Sequence, residues 1–177
     1  MSESQIPAYV DTRKVFPEGA AIAGNLSLKK LELFQEYLSA PVGSVKVELF
    51  FRIAESGQRQ ITGTIAASVQ VYCQRCLAPL GIELADDIRL VLLRDEAKAA
   101  DLEPNFDPWI CEGFKLELAT IIEEQLILCL PIVSYHSQGE CANALNYQVG
   151  SSAIVANADD NQTKSPFSIL KELKKTD

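Results

Sequence analysis

Histidine is scarce in this chain, with His136 alone among 177 residues, and that scarcity excludes most acid–base and nucleophilic devices. A Ser-His-Asp arrangement would consume the only imidazole. There is no G-x-x-x-x-G-K-[ST] phosphate cradle and no G-x-G-x-x-G turn. The carboxylate pairs Asp86-Asp87, Glu123-Glu124 and Asp159-Asp160 are neighbours along the chain. Neighbours in a strand or helix do not converge on one substrate atom, so they read as solvated surface.

Positive charge is also in short supply. Sixteen Lys and Arg face 24 Asp and Glu, a net charge of -8. Broad binding to nucleic acid draws on clustered cations, so this balance argues against it and favours a basic partner. No apolar run approaches the roughly eighteen residues that cross a bilayer. The start Met1-Ser2-Glu3-Ser4-Gln5 has no basic region leading into an apolar stretch. These features predict a cytoplasmic protein with no membrane association, and no small-molecule substrate is evident.

What the chain does hold is enough apolar material for a core. Hydrophobic residues make up 47% of it, and a domain of about 150 residues buries around two thirds of its unfolded surface. Val45, Val47, Leu49 and Phe51 alternate with Lys46, Glu48 and Phe50, the period of a strand with a buried face. Strands are predicted over residues 44–54, 59–72 and 80–94, with Gly57 in a hairpin turn and residues 73–81 capping a second hairpin.

Residues 1–24 read as an edge strand and a turn. Leu28, Leu31, Phe34 and Leu38 recur at helical spacing after a Ser27 or Asn25 cap and predict a helix over 27–39. Leu118, Ile121, Ile122, Leu126 and Cys129 mark one face of a helix over 115–129 that stops before Pro131. Residues 95–107 read as an exposed acidic loop.

The expected fold is therefore an α+β domain over 1–141, an antiparallel sheet packed against two main helices. A polar stretch, 142–164, is too poor in large apolar groups to order itself and reads as a flexible linker. A short C-terminal helix over 165–175 follows it, with Ser165 as cap, Pro166 in the first turn and Lys174-Lys175 near the end.

Five cysteines, an odd number, fit free thiols or ligands better than a disulfide framework. Cys73 and Cys76 form a C-x2-C at a strand end, which aims two sulfurs at one point. His136 and Cys141 could complete a tetrahedral zinc site of four protein ligands, structural because no coordination position is left open. Two structural thiols without metal, or disulfide chemistry, are the other readings of the pair; a redox thiol usually follows a strand in a βαβ unit, and the pattern here is a hairpin. Cys111 could replace either of the weaker ligands, and Cys129 falls on the apolar face of the helix. Arg75, with Arg52, Arg59 and Arg89 on neighbouring strands, reads as scattered surface charge or as a local basic spot.

Three segments together resemble the YceD family, the large ribosomal RNA subunit accumulation proteins of bacteria and plant plastids. They are Cys73-Gln74-Arg75-Cys76; the run from Leu116-Glu117-Leu118 through Glu123-Glu124-Gln125-Leu126-Ile127-Leu128 to Leu130-Pro131-Ile132-Val133, His136 and Cys141; and Ser165-Pro166-Phe167-Ser168-Ile169-Leu170 with Leu173-Lys174. Cys111 and Cys129 stand outside the pattern. The resemblance implies a part in synthesis, processing or accumulation of 23S ribosomal RNA and so in large-subunit assembly. It implies no known enzymatic activity and leaves metal binding to residue chemistry.

The leading expectation is a non-catalytic ribosome-assembly factor that binds a basic ribosomal protein or a pre-50S particle, with the Cys/His set fixing its recognition surface. The alternatives are direct contact of the arginines with 23S rRNA and, less well supported for want of an open metal site, an RNA-processing enzyme.

Overall fold

A computed structural model describes residues 5–137 and Cys141. All of these belong to the first of two units into which the chain divides, Met1–Tyr147; the second, Gln148–Asp177, lies wholly outside them. The expected linker over 142–164 and the helix over 165–175 fall outside the described residues.

Eight strands and three α-helices follow one another along the described chain. Strand β1 (Tyr9–Asp11) leads into a single turn, α1 (Thr12–Val15), and β2 (Ala21–Ser27). A 3-10 turn (Leu28–Lys30), a second single turn α2 (Glu32–Gln35) and β3 (Leu38–Ala40) follow. The long strands β4 (Ser44–Ile53), β5 (Arg59–Tyr72) and β6 (Pro79–Leu93) come next. A 3-10 segment (Glu96–Asp101), β7 (Asp107–Ile110), β8 (Lys115–Glu117) and α3 (Leu118–Cys129) complete the order.

The main sheet has six strands in the order β2-β4-β5-β6-β7, with β3 pairing the end of β5 beyond the reach of β4. A two-stranded sheet joins β1 to β8. The β4–β5–β6 meander pairs antiparallel in continuous register, Val47 opposite Ile65 and Val69 opposite Ile82. Gly57, at φ 81°, makes the first hairpin turn as the sequence predicts.

Alternation sorts the side chains onto two faces. Val45, Val47, Leu49 and Phe51 of β4, with Ile61, Ile65, Val69 and Val71 of β5 and Ile88 and Leu90 of β6, are buried. They pack under Leu118, Ile121, Ile122 and Leu126 of α3 in one core. Phe16 meets Phe51 edge to face, centroids 5.5 Å apart. The opposite face, with Lys46, Thr64, Ala66, Ser68 and Ala85, is exposed, as an antiparallel sheet permits.

This architecture corrects the expected fold class. The described chain is mostly β, and α3 is its only α-helix longer than one turn. The helix expected over 27–39 does not form. Leu28, Leu31, Phe34 and Leu38 are all buried, but Leu28, Leu31 and Phe34 recur every three residues, a spacing that a 3-10 turn puts on one side as well as an α-helix does. Leu31 breaks the run at φ -108°, ψ 82°, and the side chain of Ser27 makes no capping bond. The backbone on either side is claimed by the sheet, Ala21–Ser27 by β4 and Leu38–Ala40 by β5.

The sheet is also not wholly antiparallel. Strand β7 lies parallel to β6, Leu90 opposite Asp107, because the segment 94–106 is long enough to carry the chain back, as a parallel crossover requires. Among the described residues no helix is long and apolar enough to cross a membrane.

Candidate metal centre

The 73–78 loop joins the ends of the two longest strands and curls tightly. Cys73 N–H donates to the Ala78 carbonyl at 2.9 Å, and Leu77 N–H donates back to the Cys73 carbonyl at 2.9 Å. Closing this turn puts Leu77 in the left-handed region, φ 60°, the only described non-glycine residue there. The loop after α3 comes alongside because Leu130-Pro131 ends the helix. Gln74 N–H then donates to the Ser134 carbonyl at 2.8 Å.

Four ligand atoms from these two loops converge. Cys73, Cys76, His136 and Cys141 each offer one atom, all within 4.8 Å of one another. Cys73 Sγ lies 3.5 Å from Cys141 Sγ, and His136 Nδ1 lies 3.4 Å from Cys76 Sγ and 3.7 Å from Cys141 Sγ. A tetrahedral zinc with Zn–S of about 2.3 Å and Zn–N of about 2.0 Å spaces its sulfurs about 3.8 Å apart and a sulfur and nitrogen about 3.5 Å apart. The short separations match those edges, so the donor set fits a single ion with small shifts. The four residues expected from sequence are the four brought together.

The surroundings prepare the donors. His136 Nε2 lies 3.1 Å from the Pro79 carbonyl, which can only accept. That bond puts the proton on Nε2 and leaves the Nδ1 lone pair facing the sulfurs, the usual outer-shell device for a metal-bound imidazole. Cys73 and Cys141 are fully buried. Burial by itself pushes the Cys73 thiol up, but the N–H groups of Cys76, His136 and Arg75, with the Cys141 thiol, outweigh it and bring the pKa down to about 5. Cys141 is held above the ordinary thiol range, first by burial and then by the Cys73 and Cys76 sulfurs. A thiolate beside a thiol is the arrangement from which a cation displaces a proton on binding.

The other cysteines stand apart, and all five are free. Cys111 Sγ is 3.5 Å from the Gly113 carbonyl, in the connection between β7 and β8. Cys129 Sγ is 3.6 Å from Asp86 Oδ2; burial first, then the Asp86 carboxylate, pushes its pKa up to about 11.

Three of the arginines lie away from the cysteines, each with a partner of its own. Arg52 bonds Gln60, Arg59 lies over the Phe16 ring, and Arg89 pairs with Asp87. They flank the start of β5, about 40 Å of strand away from Cys73 at its other end. Arg75 alone is beside the cysteines. Sequence reasoning singled out the four converging residues but not the groups that condition them. Backbone N–H and carbonyl groups carry no residue signature, and the one available clue was Pro79, whose ring ends the loop.

The family model described as large ribosomal RNA subunit accumulation protein YceD matches residues 61–174, more than half of the chain. A Haemophilus influenzae protein of the same name is 25% identical over 175 residues, covering 98% of this chain and 99% of that protein. No solved structure matches the chain. The match spans all four converging ligands and runs on past them in both directions, and the chain belongs to the YceD family.

Proposed function

We propose that this protein is a non-catalytic factor in large-subunit assembly that supports accumulation of 23S rRNA from the cytoplasm, with a structural zinc ion held by Cys73, Cys76, His136 and Cys141. Family membership over residues 61–174 carries the functional part, through the accumulation role that the family's description states. The chemistry of the donor set carries the structural part. Three sulfurs and one nitrogen suit zinc, and four protein ligands leave no position for a substrate or an activated water.

Zinc here would act as a cross-link. Cys76 and His136 are 60 residues apart in the chain, and clamping them fixes the hairpin tip against the loop that follows α3. The partner is a basic ribosomal protein or precursor particle, in keeping with the net charge of -8. The placement of Arg52, Arg59 and Arg89 at the far end of β5 weighs against direct binding of rRNA beside the cysteines.

Two measurements test the proposal. Elemental analysis of untagged protein is expected to give one zinc per chain, and a value near zero would remove the metal. Low-salt capture from lysate is expected to recover ribosomal proteins or pre-50S particles, and their absence would overturn the assembly role. Cleavage of RNA by highly purified protein would overturn its non-catalytic character.

A further inference from the structure

The three sulfurs of the candidate metal centre are not equivalent. Cys73 and Cys141 are fully buried, while Cys76 is half-buried at the hairpin tip, next along the chain to exposed Arg75. A partly exposed thiolate beside a cation is the kind that meets small oxidants in water. The two buried sulfurs differ as well. Cys73 accepts from the backbone N–H groups of Cys76, His136 and Arg75, so its sulfur is tied into the turn. Among the described residues the bonds of the Cys141 sulfur are to side chains, those of Cys73, Cys76 and His136. It is the sulfur that can move without undoing the backbone.

Sulfurs so placed can exchange a shared metal for a bond between two of them. The ligand atoms of the set all lie within 4.8 Å of one another. Side-chain rotation and a small loop shift close such a gap to the roughly 2.05 Å of a disulfide. The remaining cysteines lack this option. Cys111 Sγ faces the Gly113 and Lys115 carbonyls and Cys129 Sγ faces the Asp86 carboxylate, and neither bonds a second sulfur among the described residues.

We propose that the centre is a peroxide-responsive switch in which half-exposed Cys76 is oxidised first and Cys141 resolves it, so that bound zinc is exchanged for a Cys76–Cys141 disulfide. This rests on the zinc site proposed above and adds its regulation. The Cys76 thiolate attacks one oxygen of hydrogen peroxide; the O–O bond breaks, hydroxide leaves and Cys76 becomes a sulfenic acid. The Cys141 thiolate then attacks the Cys76 sulfur, the S–O bond breaks and a second hydroxide leaves. Two thiolates have given two electrons to one peroxide. Zinc departs as the unreduced divalent ion, because the disulfide removes two of its thiolate ligands. The new bond spans the same two loops as the ion, so the metal is unloaded while the hairpin tip stays tied to the loop after α3. A dithiol reductant with added zinc resets the centre.

The test treats the full-length, zinc-loaded chain with hydrogen peroxide in the presence of a chromogenic zinc indicator, then alkylates the remaining thiols and maps them by peptide mass spectrometry. One zinc is expected to be released for each disulfide formed, the disulfide is expected to join Cys76 to Cys141, and Cys73 is expected among the alkylated residues. The double variant Cys111→Ser, Cys129→Ser keeps all four ligands and is expected to respond as wild type does. The oxidised, metal-free chain is expected to melt above the reduced, metal-free chain, because a covalent link still closes the long loop; equal melting would overturn the retained clamp. A disulfide between Cys73 and Cys76, or oxidation of Cys76 to a sulfinic acid with no disulfide, would overturn the assignment. A zinc-loaded chain that keeps its metal through the treatment would overturn the switch while leaving the zinc site standing. Zinc near zero before any peroxide is added would overturn the site and the switch together.

Discussion

Single side chains divide the cysteines into two kinds. Cys73→Ser or Cys76→Ser is expected to abolish bound zinc and lower the melting temperature, whereas Cys129→Ser leaves one zinc per chain and costs only the packing of α3 against the core. Metal analysis and calorimetry on the three variants check this split, and equal behaviour would contradict it. Cys129 also has a pH signature. Burial and the Asp86 carboxylate hold its folded pKa at about 11, above the ordinary thiol value of 9.0, so the unfolded chain loses this proton first. Its contribution to stability is complete below pH 9 and declines between pH 9 and 11. Urea titrations across that window are expected to show a smaller decline for Cys129→Ser than for wild type. Leu77 pays for the tight turn with a left-handed backbone, φ 60°. Leu77→Gly removes the Cβ clash, worth about 1 kcal/mol. The variant is expected to be more stable than wild type in urea by an amount of that order, less what glycine gives back in chain entropy.

The hairpins are where the sequence was most legible. The expected strands 44–54, 59–72 and 80–94 correspond to Ser44–Ile53, Arg59–Tyr72 and Pro79–Leu93, because period-two alternation over ten or more residues has no helical equivalent. The 27–39 segment misled because four buried side chains in eleven residues fit more than one backbone. What decided among them was pairing to β4 and β5, a contact that local pattern does not carry. Glu123 shows the same gap. It reads as solvated helix surface, yet its Oε1 accepts the Phe34 N–H at 2.9 Å and ties α3 to the single turn α2. Gly63 belongs to this scale as well. A Cβ there would lie 1.9 Å from the Glu48 carbonyl oxygen, so the backbones of β4 and β5 would have to part. Gly63→Ala is expected to lose about 2 kcal/mol or more in urea denaturation, and a change within experimental error would show that the strands yield easily.

At the scale of the molecule, the proposed zinc would join two places distant in the chain. A cross-link closing a loop of about 60 residues restricts the unfolded state by about 4 kcal/mol. Removing the ion with a strong chelator is expected to lower the melting temperature by about 10 °C and to be reversed by added zinc. The Gln74–Ser134 bond and the shared core remain, so the sheet is expected to survive chelation in far-ultraviolet circular dichroism. Collapse to a random coil would mean that the ion nucleates the fold instead of clamping it.

From the chain alone came the strands of the meander, the helix at α3 and the four Cys and His residues that converge, since periodicity and the ligand chemistry of Cys and His are properties of residues. Tertiary structure decided that Cys111 stays outside the cluster, that residues 27–39 become turns and a strand, and that β7 joins in parallel. Each of those outcomes depends on which backbone groups and surfaces meet across tens of residues, and that is an energy of pairs, which no single segment contains.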